Sequence, residues 1–404
     1  VTSPYPLTPK EEIQRRLADL RGRLATAGID AALIVQNADL FYYTGSIQQG
    51  VLVVPAAGDP VYLVRRVLER AVEEAGIQRV ERIGGLGEIP GRLAALGLFF
   101  STLGFEIDVM PAALFRRLVD LFPGAKPVDL SPLLREARAV KSPYEVGVLR
   151  RCGRRLAELL AQAADLVVPG VTERELCGAV VGRAVSRGHT TITRMRAWNQ
   201  EVGLGCVISG PDAALPSYAD FPTAGRGACP YVPVGAGARR IGENEAVLVD
   251  TMWAEEGYLV DMARTYVVGR LPARLASAHA AAVEVLRAME RAIRPGVPAG
   301  ELYRIGVEAA HATPFAAHFM GPPGYNVAFI GHGVGIEVDE PPFVARGSKT
   351  PLAAGMVFAL EPKFVFPGEG AVGVENTYVV TEQGAERLTP LGDEVIVCGG
   401  GAGR

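Results

Sequence analysis

The five cysteines of this chain, Cys152, Cys177, Cys206, Cys229 and Cys398, include no CxxC pair. An odd, scattered set builds no disulfide framework and points to a reducing compartment. A basic excess is also missing. The 404 residues hold 41 Lys and Arg against 44 Asp and Glu, a net charge of −3. No positive field is offered to nucleic acid or to an anionic membrane. No apolar run approaches the ~20 residues needed to span a bilayer. The segment VTSPYPLTPKEE lacks the basic-then-apolar pattern of a secretion signal. The expectation is a cytoplasmic protein with no nucleic-acid or membrane partner. What is present is globular material: 49% hydrophobic and 21% charged residues. That suffices for a large core and, at roughly 150 residues each, for two or three domains.

Thr8-Pro9-Lys10-Glu11 reads as a capping box that opens a helix running to about Ala27, where Gly28 stops it. DAALIVQ reads as a strand, and VLVVP with VYLVR as a hairpin around Ala57-Gly58-Asp59, with ADLFYYTG between them. Helical and strand segments alternate to about residue 128. The polar REARAVK marks a boundary. Ser142-Pro143-Tyr144-Glu145 then caps a long amphipathic helix through about Val167, with Pro169-Gly170 beyond. Further helices are expected near 172 to 187, 273 to 294 and 299 to 312. The stretch 221 to 240 is rich in Gly and Pro and reads as loop. The layout is two domains, 1 to 140 and 141 to 404, of mixed α/β (α+β) class.

The segment VLVDTMWAEEGYLVDMARTY (247 to 266) is strand-like, yet its apolar runs end in Asp250 and Asp261. A hairpin turning on Glu255 and Glu256 pairs Ala254 with Gly257. It sets Asp250 opposite Asp261, with Cβ atoms ~5 Å apart. Two carboxylates that close repel unless one is protonated or a cation lies between them. FALEPKFVFPGEGAVGVENTYVV (358 to 380) repeats the device. Glu361 and Glu375 flank the turn at Pro367-Gly368-Glu369-Gly370, so a hairpin brings them side by side. Between these hairpins, His332 sits between Gly331 and Gly333, which let the backbone pack tightly around a fixed imidazole. Two Asp, one His and two Glu form a hard, oxygen-rich set. It suits two divalent ions such as Mn²⁺, Co²⁺, Fe²⁺ or Zn²⁺. Two ions ~3.5–4 Å apart share a water, lower its pKa and hold a tetrahedral intermediate, which is hydrolase chemistry.

The order D-x10-D, GHGxG, xxEPxxx and a final Glu on the closing strand resembles the pita-bread superfamily. That group includes methionine aminopeptidase, prolidase, aminopeptidase P and creatinase. VDMARTY is similar to its SD-x-TR-T strand and FALEP to its IEP strand. ADLFYYTG and the KSPYE helix start look like the creatinase/prolidase N-terminal domain, which methionine aminopeptidase lacks. The resemblance therefore spans nearly the whole chain. It implies a smaller creatinase-like α/β domain followed by a pita-bread catalytic domain, with Xaa-Pro peptidase activity. It also implies a homodimer acting on a peptide or small-molecule amide. Asp250, Asp261, His332, Glu361 and Glu375 would be the ligands of two ions, with Asp261 and Glu375 bridging. Glu361 would also shuttle protons for the attacking water.

Two family histidines are missing. Xaa-Pro peptidases carry one just after a segment like ISGPDAALP, where this chain has Ser217. They carry another seven residues after the ligand His, where this chain has Asp339. An imidazole donates a hydrogen bond to an oxyanion, whereas an ionised carboxylate repels it. The candidate catalytic residues are thus Glu361, Asp339 and Ser217. Asp339 reads as a base, a holder of a cationic substrate group, or a structural salt bridge; Ser217 reads as a substrate contact or a neutral filler. These departures keep open a non-peptide enzyme, either a small amide or ring C–N hydrolase or a lyase. A non-catalytic binding module is the other alternative, and the five retained ligands speak against it. The 221 to 240 loop looks longer than the family's usual link and is expected to reshape the pocket. His189, Arg194 and Arg196 are candidates for a substrate carboxylate or for packing charges. His318 is a candidate for the missing imidazole, and His279 and His311 read as structural.

Overall fold

Six short strands form one mixed sheet in the first half of the chain: β1 (Ala31–Ile34), β2 (Gly50–Pro55), β3 (Val61–Val64), β4 (Arg79–Arg82), β5 (Thr102–Phe105) and β6 (Lys126–Asp129). Their order is β4-β3-β2-β1-β5-β6. The hairpin read from sequence is β2–β3, with Gly50 opposite Val64. Helices α1 (Lys10–Ala27), α2 (Asn37–Thr44), α3 (Leu68–Glu74), α4 (Ile89–Ala95), α5 (Ala112–Asp120) and α6 (Ser131–Ala139) accompany it. The Thr8 capping box does not form. Pro9 itself takes the cap position and no side chain caps the helix, so Thr8 falls one residue outside. Gly28 ends α1 in the left-handed conformation, as expected.

The computed structural model describes residues 5–399 apart from 197, 200 and 204. The chain divides into two units, Val1–Arg138 with Arg196–Trp198, and Ala139–Met195 with Asn199–Arg404.

The second unit opens with α7 (Pro143–Ala163) and α8 (Glu173–Val185). In α7 the Ser142 hydroxyl accepts from the Glu145 amide at 3.2 Å, and the Glu145 carboxylate accepts from the Ser142 amide at 2.9 Å. Thr172 and Glu175 form a second capping box at α8. The helix α7 stops at Ala163, short of Val167. The strands are β7 (Gly205–Ser209), β8 (Val247–Glu255), β9 (Tyr258–Val268), β10 (Phe329–Val334), β11 (Val338–Ala345) and β12 (Val357–Leu360), then β13 (Lys363–Phe366), β14 (Gly370–Gly373), β15 (Asn376–Thr381), β16 (Gly384–Arg387) and β17 (Ile396–Cys398). They form a sheet β17-β9-β8-β7, a sheet β11-β10-β12-β15-β16 and a ribbon β13-β14. Helices α9 (Ala273–Ala292) and α10 (Ala299–His311) complete the unit. Leu275, Ala278, Ala282, Leu286 and Met289 recur at helical spacing on α9 and share one core with Phe358, Leu360, Phe364 and Phe366.

The β8–β9 register corrects the sequence expectation. The turn is Glu256-Gly257, with φ of 51° and 83°, rather than Glu255-Glu256. Two positive φ values define the tight hairpin turn that matches strand twist, and Gly257 adopts one without strain. Asp250 therefore pairs with Ala263, and Asp261 with Met252. Each partner shifts by two residues. Because side chains alternate with period two, both carboxylates stay on one face as diagonal neighbours.

Candidate metal centre

Strand β8 supplies Asp250, β9 supplies Asp261 and β10 supplies His332. The two glutamates lie where one long hairpin changes sheets. Leu360 pairs with Asn376 in the five-stranded sheet, and Lys363 with Gly373 in the ribbon. The same register carried through the gap sets Glu361 opposite Glu375, as the sequence suggests. The backbone turns outward there: Glu361 N donates to Ile330 O at 2.9 Å and Glu375 N to Ala263 O at 3.2 Å. Thr377 clamps the adjoining strand, accepting from Asp261 N at 3.0 Å and donating to Asp261 O at 2.8 Å.

Two residues that the sequence reading did not single out hold this arrangement together. Arg264 is fully buried, and its guanidinium donates to Glu375 O at 2.7 Å, Asn376 Oδ1 at 2.8 Å and Gly392 O at 2.7 Å. Lys363 lies among the acids. Its Nζ is 2.9 Å from Asp250 Oδ2, 2.6 Å from Glu361 Oε2 and 3.1 Å from Glu375 Oε2. The signal for Lys363 was available: it follows Glu361 by two positions, which on extended chain gives the same face. Arg264 showed in the sequence only as the Arg of VDMARTY, since its partners are brought in by other strands.

His332 turns Nε2 toward the acids, 3.8 Å from both Glu361 Oε1 and Glu375 Oε1. Its Nδ1 lies 3.3 Å from Gly333 O and 3.3 Å from Asp339 Oδ1. Both neighbours only accept, so Nδ1 carries the proton and Nε2 keeps its lone pair in the neutral ring. The flanking glycines are required by contact. A Cβ at Gly331 would lie 2.2 Å from Ala359 O, and one at Gly333 would lie 2.2 Å from Glu340 O.

Burial and like charge disfavour ionisation of these carboxylates, and a cation among them would offset both. Burial, then the charges of Glu375 and Asp250, push Asp261 well above the usual carboxylate range. Burial likewise raises Glu375 to about 8, with Lys363 opposing. Burial works against the Lys363 ammonium, but Asp250, Glu361 and Glu375 outweigh it and hold it protonated well beyond the ordinary lysine range. Asp261 Oδ1 and Glu375 Oε1 are buried and make no hydrogen bond. One ligand atom from each of Asp261, His332 and Glu375 lies within 4.8 Å of the others. Two carboxylates and an imidazole so placed fit a divalent cation.

The centre lies in a cleft of about 1400 Å³ lined also by Pro222, Tyr231, Pro233, Val338 and Phe343. The expected loop 221 to 240 thus forms part of its wall. Other candidates are not brought here. The Ser217 hydroxyl donates to Pro233 O at 2.8 Å. His318 is held by Val365 O at 2.9 Å and lies against Phe366, so it does not supply an imidazole. His189 accepts from Thr191 N at 2.9 Å and packs edge-on to Trp253. Arg196 belongs to the first unit, paired with Asp39 at 2.6 Å and Asp108 at 2.8 Å. Arg194 gives its carbonyl to Val338 N at 2.9 Å. His279 sits buried on α9 with Nε2 at 2.8 Å from Asp393 O, and His311 ends α10.

Residues 147–382 match metallopeptidase family M24, and residues 16–140 match the creatinase/prolidase N-terminal domain. The chain is 30% identical over 399 residues to a probable dipeptidase PepE of Mycobacterium tuberculosis, covering 96% of this chain and 97% of that one. It is 25% identical over 373 residues to an Xaa-Pro dipeptidase of Pyrococcus horikoshii, covering 91% and 95%. The solved structure of dipeptidase PepE from Mycobacterium ulcerans aligns with a TM-score of 0.79 at 28% identity, over 97% and 99% of the two chains.

Proposed function

The chain belongs to metallopeptidase family M24, and from that premise we propose that it releases the residue preceding a proline from short peptides. The observation that carries this reading is the convergence of Asp261, His332 and Glu375, two of them with unpartnered buried oxygens, inside a cleft with apolar walls. These three residues, with Glu361 beside them, would hold the divalent metal that the family uses; manganese is our choice of probe. A bound ion supplies Lewis acidity, activating water and polarising the scissile carbonyl.

The chain's own groups do the rest. Asp339 orients the His332 ring through Nδ1 and leaves Nε2 facing inward. Glu361 would take a proton from the attacking water and return it to the departing nitrogen. Pro222 and Phe343 would offer an apolar surface to the pyrrolidine ring. Arg174, exposed at the start of α8, lines the same cleft and offers a fork to a dipeptide's terminal carboxylate. The absence of paired cysteines supports a cytoplasmic location, and the family resemblance supports a homodimer.

A second reading, hydrolysis of a small non-peptide amide, draws on one observation. With Ser217 bonded to Pro233 and Asp339 beside His332, no second imidazole lines the cleft among the described residues. The test is hydrolysis of Xaa-Pro dipeptides by Mn²⁺-loaded protein. We expect metal-dependent release of the first residue, reduced by ~10²–10⁴-fold in Glu361→Gln. No turnover from protein shown to hold metal would overturn the peptidase reading in favour of the second.

A further inference from the structure

Resting on that metal-dependent reading, we propose that Lys363 takes the place of one of the two ions the ligand set suggests. The centre then binds a single divalent ion beside a built-in ammonium. An ammonium has three donors. Those of Lys363 meet one oxygen each of Asp250, Glu361 and Glu375, at 2.9, 2.6 and 3.1 Å. This is the side of the cluster where Asp250 would act as a ligand. A second ion there would compete for oxygens already bonded and would face a fixed positive charge.

The lysine is built in rather than folded over the acids. It starts β13, and its side chain is 2% exposed. Its strand partner is Gly373, where a Cβ would come within 2.6 Å of Lys363 Cγ. A glycine at that position is what leaves room for the stem. The opposite side keeps the features of a cation site. Asp261 Oδ1 and Glu375 Oε1 lack hydrogen bonds, and His332 completes a set within 4.8 Å. Glu375 spans the two halves, with Oε2 on the ammonium and Oε1 toward His332. Charge agrees: four carboxylates against one ammonium and one divalent ion leave a net −1, whereas a second ion would leave +1.

Asp261, His332 and Glu375, with Glu361 Oε1 beside them, would therefore hold the ion. Asp250 is a partner of Lys363 rather than a ligand.

The experiment is equilibrium dialysis of chelator-stripped full-length protein against Mn²⁺, with metal analysis and electron paramagnetic resonance. The expected result is one ion per chain and the spectrum of an isolated Mn²⁺. Lys363→Met, which keeps volume but removes charge, is expected to take up a second ion and show exchange coupling. Asp250→Asn is expected to stay at one. Two coupled ions in the unaltered protein would overturn the proposal while leaving the metallopeptidase reading intact. No bound ion would overturn both. The stoichiometry of the unaltered chain decides the matter even where a variant fails to fold.

Discussion

At the scale of single residues, Asp339 is the carboxylate that faces the outer nitrogen of His332. It sits at φ 64°, in the left-handed region, with its carboxylate 3.3 Å from His332 Nδ1. Asparagine tolerates that backbone, so Asp339→Asn removes charge without adding strain. Partners of this kind orient a ligating imidazole, and their loss weakens metal affinity by ~10–100-fold. We expect a loss of that size for Mn²⁺ in titration calorimetry. An unchanged Kd would show that Asp339 does not position the ring. From sequence, position 339 could be read as departing from the family pattern, but not as facing His332. The intervening chain folds back through the β10–β11 turn, and only its geometry decides where the carboxylate points.

At the scale of elements, period-two alternation was legible and exact register was not. The β8–β9 expectation misplaced the turn by one residue, yet both aspartates kept their common face. The Glu361–Glu375 opposition was legible because the two lie symmetrically about a turn. The transfer of that hairpin between sheets was not legible, since it depends on what the backbone meets at Ile330 and Ala263. Close packing around β10 makes a sharp prediction. Gly331→Ala forces a Cβ against Ala359 O, and should lower stability by about 1–3 kcal/mol or more. Gly147→Ala, inside α7 with open space around it, should raise stability by up to ~1 kcal/mol. Urea unfolding of both variants checks the opposite signs. Equal effects would mean that β10 yields without cost.

At the scale of the whole molecule, the chain is a metallopeptidase-type hydrolase. It has the creatinase-like N-terminal domain and a pita-bread fold, and no described helix is long and apolar enough to cross a membrane. One pH dependence belongs to the first of the two units. In the first, Asp39 is wholly buried, with Arg138 Nη1 at 2.8 Å and Arg196 Nη1 at 2.6 Å. Burial opposes its charge, but the two arginines outweigh it and lower its pKa to about 2. A depressed carboxylate contributes stability above its unfolded value, near ~3.9, and loses it as pH falls through the folded one. Asp39→Asn should cost about 3–5 kcal/mol at neutral pH by leaving buried arginines short of a partner. Urea unfolding should show that this deficit shrinks between pH 4 and pH 2, the window set by ~3.9 and the folded value. A deficit independent of pH would sink the assignment to the carboxylate charge.

The sequence by itself determined the chemistry of the centre and the faces that carry it. Ligand type is a property of each residue, and alternation along a strand is local. It also suggested a two-part layout, through the helix caps and the polar stretch REARAVK. Tertiary structure alone decided which groups meet. Lys363 reaches Asp250 across 113 positions, Arg264 reaches Glu375 across 111, and Arg196 pairs with Asp39 across 157. Those pairings depend on how sheets stack and where a hairpin opens. The contacts of Lys363 with the three carboxylates could therefore be read only once the strands were in place.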